Sequence, residues 1–282
     1  MRFKRSDRVY RMFTLSLSPI AFSIFGCSVY WYGILYSFAI FSAWRISAWL
    51  LKKLRNNNIK VPTKEEFDKF MLFAILSILI GARIGHVLFF EFEYYINNPL
   101  EILMIRNGGL SFHGAFIGLC ICLYLYAKRT SFSWKIMADI LCFSAAIGLG
   151  IGRIANFINQ ELYGKISVSE CSVIFAFVDY MPRYPTQLFE SFFEGFLNFW
   201  IMFITLRLKG VNIVGKGKLS AAFCIIYSSS RFIIEFFKEV ETYSYFNFIA
   251  LTIGQILCFA LFIFGIFMLR LKDENSIRGL DD

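Results

Sequence analysis

Apolar residues in this chain are gathered into long runs that alternate with short polar stretches. The runs cover residues 28–51, 68–90, 110–128, 134–152, 187–206, 217–237 and 246–270. Each is close to the ~20 residues that an α-helix needs to cross the hydrocarbon core of a bilayer. The pattern predicts an all-α, polytopic membrane protein with about seven transmembrane helices, forming a single membrane domain over residues 1–282.

The composition supports this interpretation. Hydrophobic residues make up 57% of the chain and charged residues 17%. Soluble domains are typically about 45–50% apolar and about 25% charged. The 35 Phe and 14 Tyr suit a lipid-facing wall with aromatic belts at its edges. An ordinary soluble domain is therefore excluded.

The distribution of Lys and Arg predicts the orientation in the membrane. Basic residues cluster at 52–64, 128–135, 207–218 and 270–278, which the positive-inside rule assigns to the cytoplasm. The tail 271–282 is then cytoplasmic and the N-terminus lies outside, led in by an interfacial segment, 1–27. Five basic residues in that segment argue the other way: Arg2, Lys4, Arg5, Arg8 and Arg11. The net charge is +9, but the basic residues responsible for it flank the apolar runs. No nucleic-acid partner is therefore expected.

A glycine-rich helix end runs directly into polar side chains at residues 148–164. Arg153, Asn156 and Asn159 recur at helical spacing and share one face if the segment is helical. Arginine matches the geometry of phosphate oxygens. The alternative is a simple ion pair between Arg153 and Glu161, which leaves the glycines unexplained.

Other charged and polar residues stand within apolar runs, where charge is expensive and often marks function. Arg231 and Glu235 are spaced i,i+4 and form either a self-neutralising pair or a second phosphate-binding charge. Gln187 and Glu190 face the membrane interior or a cavity at the start of the fifth run. Arg83 lines a cavity or pairs with Asp139 of the fourth run.

Two further positions carry candidate chemistry. His113 follows two glycines at the start of the third run, where it exchanges a proton near neutral pH or is merely a hydrogen-bonded interfacial residue. Tyr32 lies in the aromatic cluster 30–33, which also fits an aromatic belt. The seven cysteines include no C-x-x-C pair, so neither a disulfide framework nor a zinc site is expected.

Two other classes of membrane protein also place polar residues within apolar runs. Polar residues in spans also mark transport pathways, but no pair of interrupted helices occupies matching halves of the chain. A metal-dependent phosphotransferase would need several Asp on one helix to hold Mg²⁺, whereas Asp139 stands alone in its span.

Taken in order, these segments resemble the prolipoprotein diacylglyceryl transferase family over roughly residues 20–270. Residues 152–164 look like the family signature, and 108–114 are similar to a second landmark. Further matches lie at 31–33, 81–85, 183–190 and 231–237. The chain departs from the usual pattern at Ala82, at Ala115 and at Tyr184, where a His is common. Tyr184 therefore weakens any proton-transfer role for that position.

The resemblance implies a bundle of seven helices in the bacterial inner membrane, with a small periplasmic head formed here by residues 153–186. It implies transfer of an sn-1,2-diacylglyceryl group from phosphatidylglycerol to the lipobox cysteine thiol of a preprolipoprotein. A thioether forms and glycerol phosphate is released. No metal or organic cofactor is implied. The expected partners are phosphatidylglycerol, preprolipoprotein signal peptides and the surrounding lipids.

Roles for individual residues follow from this chemistry as hypotheses. The expected catalytic residues are Tyr32, His113, Arg153 and Arg231, and the expected substrate-binding residues are Arg153, Asn156, Glu161, Gly164, Glu235, Arg83 and Gln187. Arg153 and Arg231 stabilise the leaving phosphate, and Glu161 and Glu235 hold these arginines in place. His113 is either the general base for the thiol or a headgroup-binding residue.

Overall fold

The computed structural model describes residues 2–5, 8–89, 91–104, 109–130, 132–239, 243–246 and 249–270. Its helices are α1 (Trp31–Asn56), α2 (Lys64–Phe89), α3 (Phe92–Asn97), α4 (Phe112–Arg129), α5 (Trp134–Ile158), α6 (Thr186–Glu190), α7 (Asn198–Lys209), α8 (Lys218–Ile234) and α9 (Ile253–Arg270). Each apolar run predicted from the sequence overlaps at least one of them. The predicted cytoplasmic tail 271–282 lies outside the described residues.

Within the described residues, five helical stretches are long and apolar enough to cross a membrane. They are Trp31–Asn56, Lys64–Leu88, Trp134–Ile158, Thr186–Lys209 and Lys218–Phe237, and Gly254–Arg270 is a shorter apolar helix. The class of all-α, polytopic membrane protein is thereby confirmed. The count of seven spans stays a prediction, as does the single domain over 1–282. The described residues form two compact units: 1–49 with 139–282, and 50–138.

Short strands also occur, which the hydropathy pattern did not predict. They are β1 (Arg2–Arg5), β2 (Arg8–Arg11), β3 (Phe13–Leu15), β4 (Ile20–Ile24), β5 (Cys27–Tyr30), β6 (Val173–Phe175), β7 (Pro182–Arg183), β8 (Tyr243–Phe246) and β9 (Ile249–Thr252). Three antiparallel hairpins are formed: β1 with β2, β4 with β5, and β8 with β9. The segment predicted as an interfacial lead-in, 1–27, is therefore largely β-structure where it is described.

A small three-stranded sheet joins the N-terminal segment to the loop that follows α5, within the first unit. β6 pairs in parallel with β3 and antiparallel with β7. Leu15, Val173 and Phe175 form its buried core. Gln160 ties the sheet to the end of α5, because its Nε2 donates to the carbonyl of Leu15 at 3.2 Å and its Oε1 accepts from the amide of Phe177 at 2.9 Å. Helix α5 continues to Ile158, so residues 153–158 of the predicted head are helical.

Asp139 of α5 caps the start of α8 from a neighbouring helix. Its carboxylate accepts hydrogen bonds from the amides of Gly215 at 2.9 Å, Gly217 at 3.1 Å and Ser220 at 2.8 Å, and from the Ser220 hydroxyl at 2.7 Å. These amides belong to the helix end that otherwise lacks partners. Asp139 is thus engaged within its own unit, and its suggested pairing with Arg83, which lies in the other unit, stays a prediction. The oxygens of Asp139 are unsuited to the metal site of a phosphotransferase.

In the second unit, α2 and α4 pack backbone against backbone. A Cβ on Gly85 would lie 2.6 Å from the Cα of Gly114, and Cβ atoms on Gly81 or Gly118 would collide with backbone of the facing helix. Only glycine leaves room for so close an approach. Ser111 caps the start of α4 by accepting a hydrogen bond from the amide of Gly114 at 3.3 Å.

Candidate active site

Two arginines from different helices meet at one buried glutamate in the first unit. Arg153 lies in the last turns of α5, and its Nε is 3.0 Å from Oε2 of Glu190. Arg231 lies near the end of α8, and its Nη1 forms an ion pair with Oε1 of the same carboxylate. Nζ of Lys238 donates to that Oε1 at 2.9 Å. The side chain of Glu190 is fully buried, and three cations compensate its charge.

A second glutamate lies one turn further along, inside the π-helical segment Ser191–Leu197. Oε2 of Glu194 is 3.8 Å from Nη2 of Arg153, and its Oε1 is 3.7 Å from Nη1 of Arg231. The side chain is fully buried, and neither oxygen accepts a hydrogen bond from any described residue. A buried carboxylate without hydrogen bonds is costly and requires an explanation.

Two glycines explain how these groups come together. A Cβ on Gly195 would lie 2.6 Å from the backbone nitrogen of Gly150, so α5 and the π-helical segment cross with no side chain between them. Arg153 follows Gly150 by about one helical turn. The crossing therefore places the arginine opposite Glu190 and Glu194.

A third carboxylate contacts Arg231 from its own helix. Oε2 of Glu235 is 3.1 Å from Nη2 of Arg231, so the predicted i,i+4 pair is present. Its Oε1 accepts a hydrogen bond from the Thr252 hydroxyl at 3.1 Å. A Cβ on Gly254 would lie 2.7 Å from that oxygen, which leaves little freedom for Glu235 to move. The role of Glu235 in the reaction stays a prediction.

The polar face after Arg153 is organised differently from the prediction. Glu161 accepts from Nδ2 of Asn156 at 2.6 Å and from Nδ2 of Asn159 at 3.0 Å, and its backbone carbonyl accepts from Nε2 of Gln187 at 2.6 Å. Nη1 of Arg153 donates to Oδ1 of Asn156 at 3.4 Å. Glu161 reaches Arg153 only through Asn156, while Glu190 pairs with the arginine, so the hypothesis that Glu161 holds Arg153 in place stays a prediction. The alternative of a simple Arg153–Glu161 ion pair is wrong, because Arg153 pairs with Glu190 instead.

Tyr32 lines an open cleft beside this polar face. The cleft has a volume of about 870 Å³ and is lined by Val29, Tyr30, Tyr32, Gly33, Ile34, Ser37 and Asn159. The ring of Tyr32 packs against that of Tyr36, with centroids 4.4 Å apart. Its hydroxyl lies within electrostatic range of Arg153 and Glu161. The structure thus places Tyr32 at the edge of the arginine site, with mainly apolar space beside it.

Gly164 lies in a crowded crossing of loops. A Cβ there would lie 2.6 Å from the carbonyl oxygen of Phe237 and 2.7 Å from that of Tyr184. The carbonyl of Gly164 itself accepts from Nη1 of Arg183 at 3.2 Å. This backbone packing accounts for the glycine, and the predicted contact with substrate stays a prediction.

Arg183 anchors the loops that surround Gly164. Its guanidinium forms ion pairs with Asp179 at 2.5 Å and Glu239 at 2.8 Å, and it lies 4.6 Å from the ring centroid of Tyr163. The hydrogen bond from Arg183 holds the pKa of the Asp179 carboxyl below its usual value, and the same bond raises the pKa of Arg183. This network is a structural support of the predicted head.

Arg83, in the second unit, supports backbone. Its buried guanidinium donates to the carbonyls of Ile102 at 2.8 Å, Gly109 at 3.1 Å and Glu101 at 2.6 Å. It also lies 5.0 Å from the ring centroid of Tyr95. These contacts fold the segment between α2 and α4 and account for Arg83 without a substrate. Its predicted substrate contact stays a prediction.

His113 lies in the first turn of α4, also in the second unit. Its side chain is outside the described residues. Both proposed roles, general base and headgroup-binding residue, stay predictions.

Sequence reasoning left Glu190, Glu194 and Lys238 out of the site. Glu190 ends the motif 183–190, and Glu194 follows it by four residues in the same apolar run. Two carboxylates on one helical face within an apolar run are the sequence signal that points to these residues. Lys238 lies just outside the motif 231–237 and carries no sequence signal of its own. Among the described residues no group of three or more His, Cys, Asp or Glu side chains could hold a metal ion, and the expectation of no metal stays a prediction.

These features define a polytopic membrane protein whose spans carry a buried cluster of arginines and glutamates next to an open cleft. Residues 19–271 match the family model of prolipoprotein diacylglyceryl transferase. The chain belongs to that family, as the ordered motifs indicated.

Individual relatives agree along nearly the whole chain. The phosphatidylglycerol–prolipoprotein diacylglyceryl transferase of Rickettsia bellii is 38% identical over 262 residues, covering 93% of this chain and 98% of that protein. The protein of the same name from Ehrlichia canis is 36% identical, with coverage of 93% and 99%. That of Brucella anthropi is 35% identical, with coverage of 93% and 94%.

Proposed function

We propose that this chain transfers the sn-1,2-diacylglyceryl group of phosphatidylglycerol to the lipobox cysteine thiol of preprolipoproteins, the first step of bacterial lipoprotein maturation. The reaction forms a thioether and releases glycerol phosphate. The observation that carries the proposal is the convergence of Arg153 and Arg231 on one site. Membership of the transferase family and the names of the relatives support it.

The exposure of the charged groups supports a phosphate-binding role. The side chains of Arg153 and Arg231 are 19% and 16% exposed, whereas those of Glu190 and Glu194 are fully buried. The carboxylates therefore lie behind the guanidinium groups, which keep an accessible side. An anionic phosphodiester approaching that side meets two guanidiniums whose planar donors match its oxygens.

The chemistry assigns the arginines to the leaving group. The nucleophile is the substrate thiolate, which attacks the glycerol carbon that bears the phosphate. The carbon–oxygen bond breaks, and its electron pair goes to the phosphate oxygen. Because negative charge grows there in the transition state, each arginine contributes about 2–4 kcal/mol, by analogy with lost oxyanion donors.

Neighbouring residues orient the substrate. Asn156 is fixed by Arg153 and Glu161 and is suited to bind a headgroup oxygen, and Tyr32 faces the cleft in which the glycerol backbone and acyl chains would enter. His113 acts either as base for the thiol or as a headgroup ligand. If His113→Asn loses turnover but still binds lipid, the role of general base is supported. Wild-type turnover in this variant would exclude a catalytic role for His113.

The location follows from the same chemistry. Both substrates are held in membranes, and the chain has several helices suited to span one. We place it in the bacterial inner membrane, with its N-terminus and the head region 153–186 in the periplasm and its C-terminus in the cytoplasm. Cysteine labelling from either side of sealed vesicles tests this orientation. Labelling of Cys171 only from the cytoplasmic side would contradict it.

The direct test is a mass measurement on a lipobox peptide incubated with the full chain and phosphatidylglycerol. The expected product carries the mass of one diacylglyceryl group, and phosphatidylcholine in place of phosphatidylglycerol gives none. A peptide whose cysteine is replaced by serine is the matched substrate control. Absence of the mass increase, with a known transferase active in the same membranes, would refute the proposal.

A further inference from the structure

The buried cluster is electrically balanced before any substrate binds. Arg153, Arg231 and Lys238 supply three positive charges, and Glu190, Glu194 and Glu235 supply three negative ones. A phosphodiester that binds the two arginines adds one further negative charge. An uncompensated charge in a buried site is costly, so one carboxylate is expected to take up a proton when the phosphate arrives.

The contacts indicate which carboxylate this is. Glu190 has three cationic partners and stays ionised. Glu235 is held by Arg231 and by the hydroxyl of Thr252. Glu194 accepts no hydrogen bond from the described residues, and its closest cationic nitrogens are 3.7 and 3.8 Å away. Ionisation of Glu194 is therefore the least stabilised of the three.

Its position is also suited to the reaction. The oxygens of Glu194 face Nη2 of Arg153 and Nη1 of Arg231, and the latter nitrogen also pairs with Glu190. The residue belongs to a π-helical segment, a departure from regular helix that often occurs at functional sites. A phosphate bridging the two guanidiniums would have the Glu194 carboxyl as its next neighbour.

We propose that Glu194 carries the proton of the reaction: it binds a proton when the phospholipid phosphate enters, and gives it to the departing glycerol phosphate. This inference rests on the function proposed above and assigns Glu194 a catalytic role within it.

The step balances in atoms and charge. The thiolate sulfur forms the sulfur–carbon bond, the carbon–oxygen bond to phosphate breaks, and the electron pair goes to the phosphate oxygen. The proton of Glu194 moves to that oxygen, so glycerol phosphate leaves as a monoanion and Glu194 returns to the carboxylate. The proton lost by the thiol is released to solvent, so the complete cycle neither consumes nor releases a proton beyond the one exchanged between thiol and glycerol phosphate.

The charged and titratable groups that act on Glu194 come from every element packed around it. They are Glu190, Arg153, Tyr227, Arg231, Lys238 and Cys258. A test of protonation must therefore change Glu194 alone and leave these groups in place. The substitution Glu194→Gln meets this condition because it preserves shape and removes only the ability to ionise.

The experiment measures binding and turnover of Glu194→Gln between about pH 5 and pH 9. Full-length protein is placed in phosphatidylcholine nanodiscs and titrated with phosphatidylglycerol. Wild-type binding is expected to weaken as the pH rises, and the variant is expected to bind with no such pH dependence. Turnover is expected to fall by about 100-fold or more, the usual contribution of a positioned proton donor.

Two variants serve as controls. Glu194→Asp keeps a carboxyl group and should restore part of the pH dependence. Glu170→Gln removes an exposed carboxylate in the loop after α5 and should leave both binding and turnover unchanged. Wild-type turnover in Glu194→Gln, or loss of lipid binding by a folded variant, would overturn the proposal.

A measurement on the wild-type protein covers the case in which the variant does not fold. Calorimetric titration with phosphatidylglycerol, in alkaline buffers that differ in ionisation enthalpy, is expected to show uptake of about one proton per lipid bound. No uptake would refute the role of Glu194. Proton uptake without any lipidation of the peptide would instead refute the proposed function and leave the binding step intact.

Discussion

Replacing Arg153 with lysine tests whether the guanidinium has two tasks at once. Its Nε contacts Glu190 at 3.0 Å, while its terminal nitrogens lie towards Asn156 and Glu194. A lysine has a single charged nitrogen and cannot both hold Glu190 and grip a phosphate. We expect a loss of about 2–4 kcal/mol of transition-state stabilisation, seen as a fall in kcat of about 30- to 1,000-fold.

The fold should survive this change, because Glu190 keeps Arg231 and Lys238 as partners. The assay is the rate of diacylglyceryl transfer to a lipobox peptide, with the thermal midpoint measured on the same preparation. Arg207→Lys is the matched control, since Arg207 is exposed on α7 and packs on Phe203. Equal rates for the two variants would refute the assignment of Arg153 to the phosphate.

Three further predictions concern the frame around the site. Gly164→Ala forces a methyl group against two carbonyl oxygens at 2.6 and 2.7 Å, so thermal unfolding should show a loss of about 1–3 kcal/mol; a raised KM with unchanged stability would instead support substrate contact. Asp139→Asn removes the charge that four hydrogen bonds share, and the free energy of unfolding should fall by about 2–4 kcal/mol; an unchanged midpoint contradicts this. Because Arg183 lowers the pKa of Asp179 in the folded chain, its stabilisation is complete above the unfolded value of about 3.9 and is lost as pH falls through the folded pKa. Asp179→Asn should therefore flatten the acid side of the stability profile, and an unaltered slope would exclude this contribution.

The positions of the helices could be predicted because a helix that crosses a bilayer needs a long apolar run, and such runs are visible in the sequence itself. The meeting of Arg153 with Arg231 was a hypothesis from chemistry, and the structure places both on Glu190. The strands near the N-terminus were missed. β4 and β5 are short and apolar, and their turn at Phe25 and Gly26 has positive φ angles that hydropathy does not register.

The partners of individual charges were the least predictable feature. The sequence suggested an ion pair between Arg153 and Glu161, because the two charges lie close together along the chain. The actual partner of Arg153 comes from a helix that crosses at Gly150 and Gly195, a contact that no local pattern encodes. Glu194 was missed because its distinguishing feature is a buried carboxylate without hydrogen bonds among the described residues. Only the three-dimensional structure shows this feature.

The glycine contact between α2 and α4 has a consequence for how the chain is made. The two helices are close in sequence, and Gly85 and Gly114 leave no side-chain layer between them. Lipid tails cannot enter so close a contact between two helices. We therefore expect α2 and α4 to insert into the bilayer as a pair, before the C-terminal helices are synthesised. The pair would then be in place before α8, the helix that carries Arg231, is synthesised.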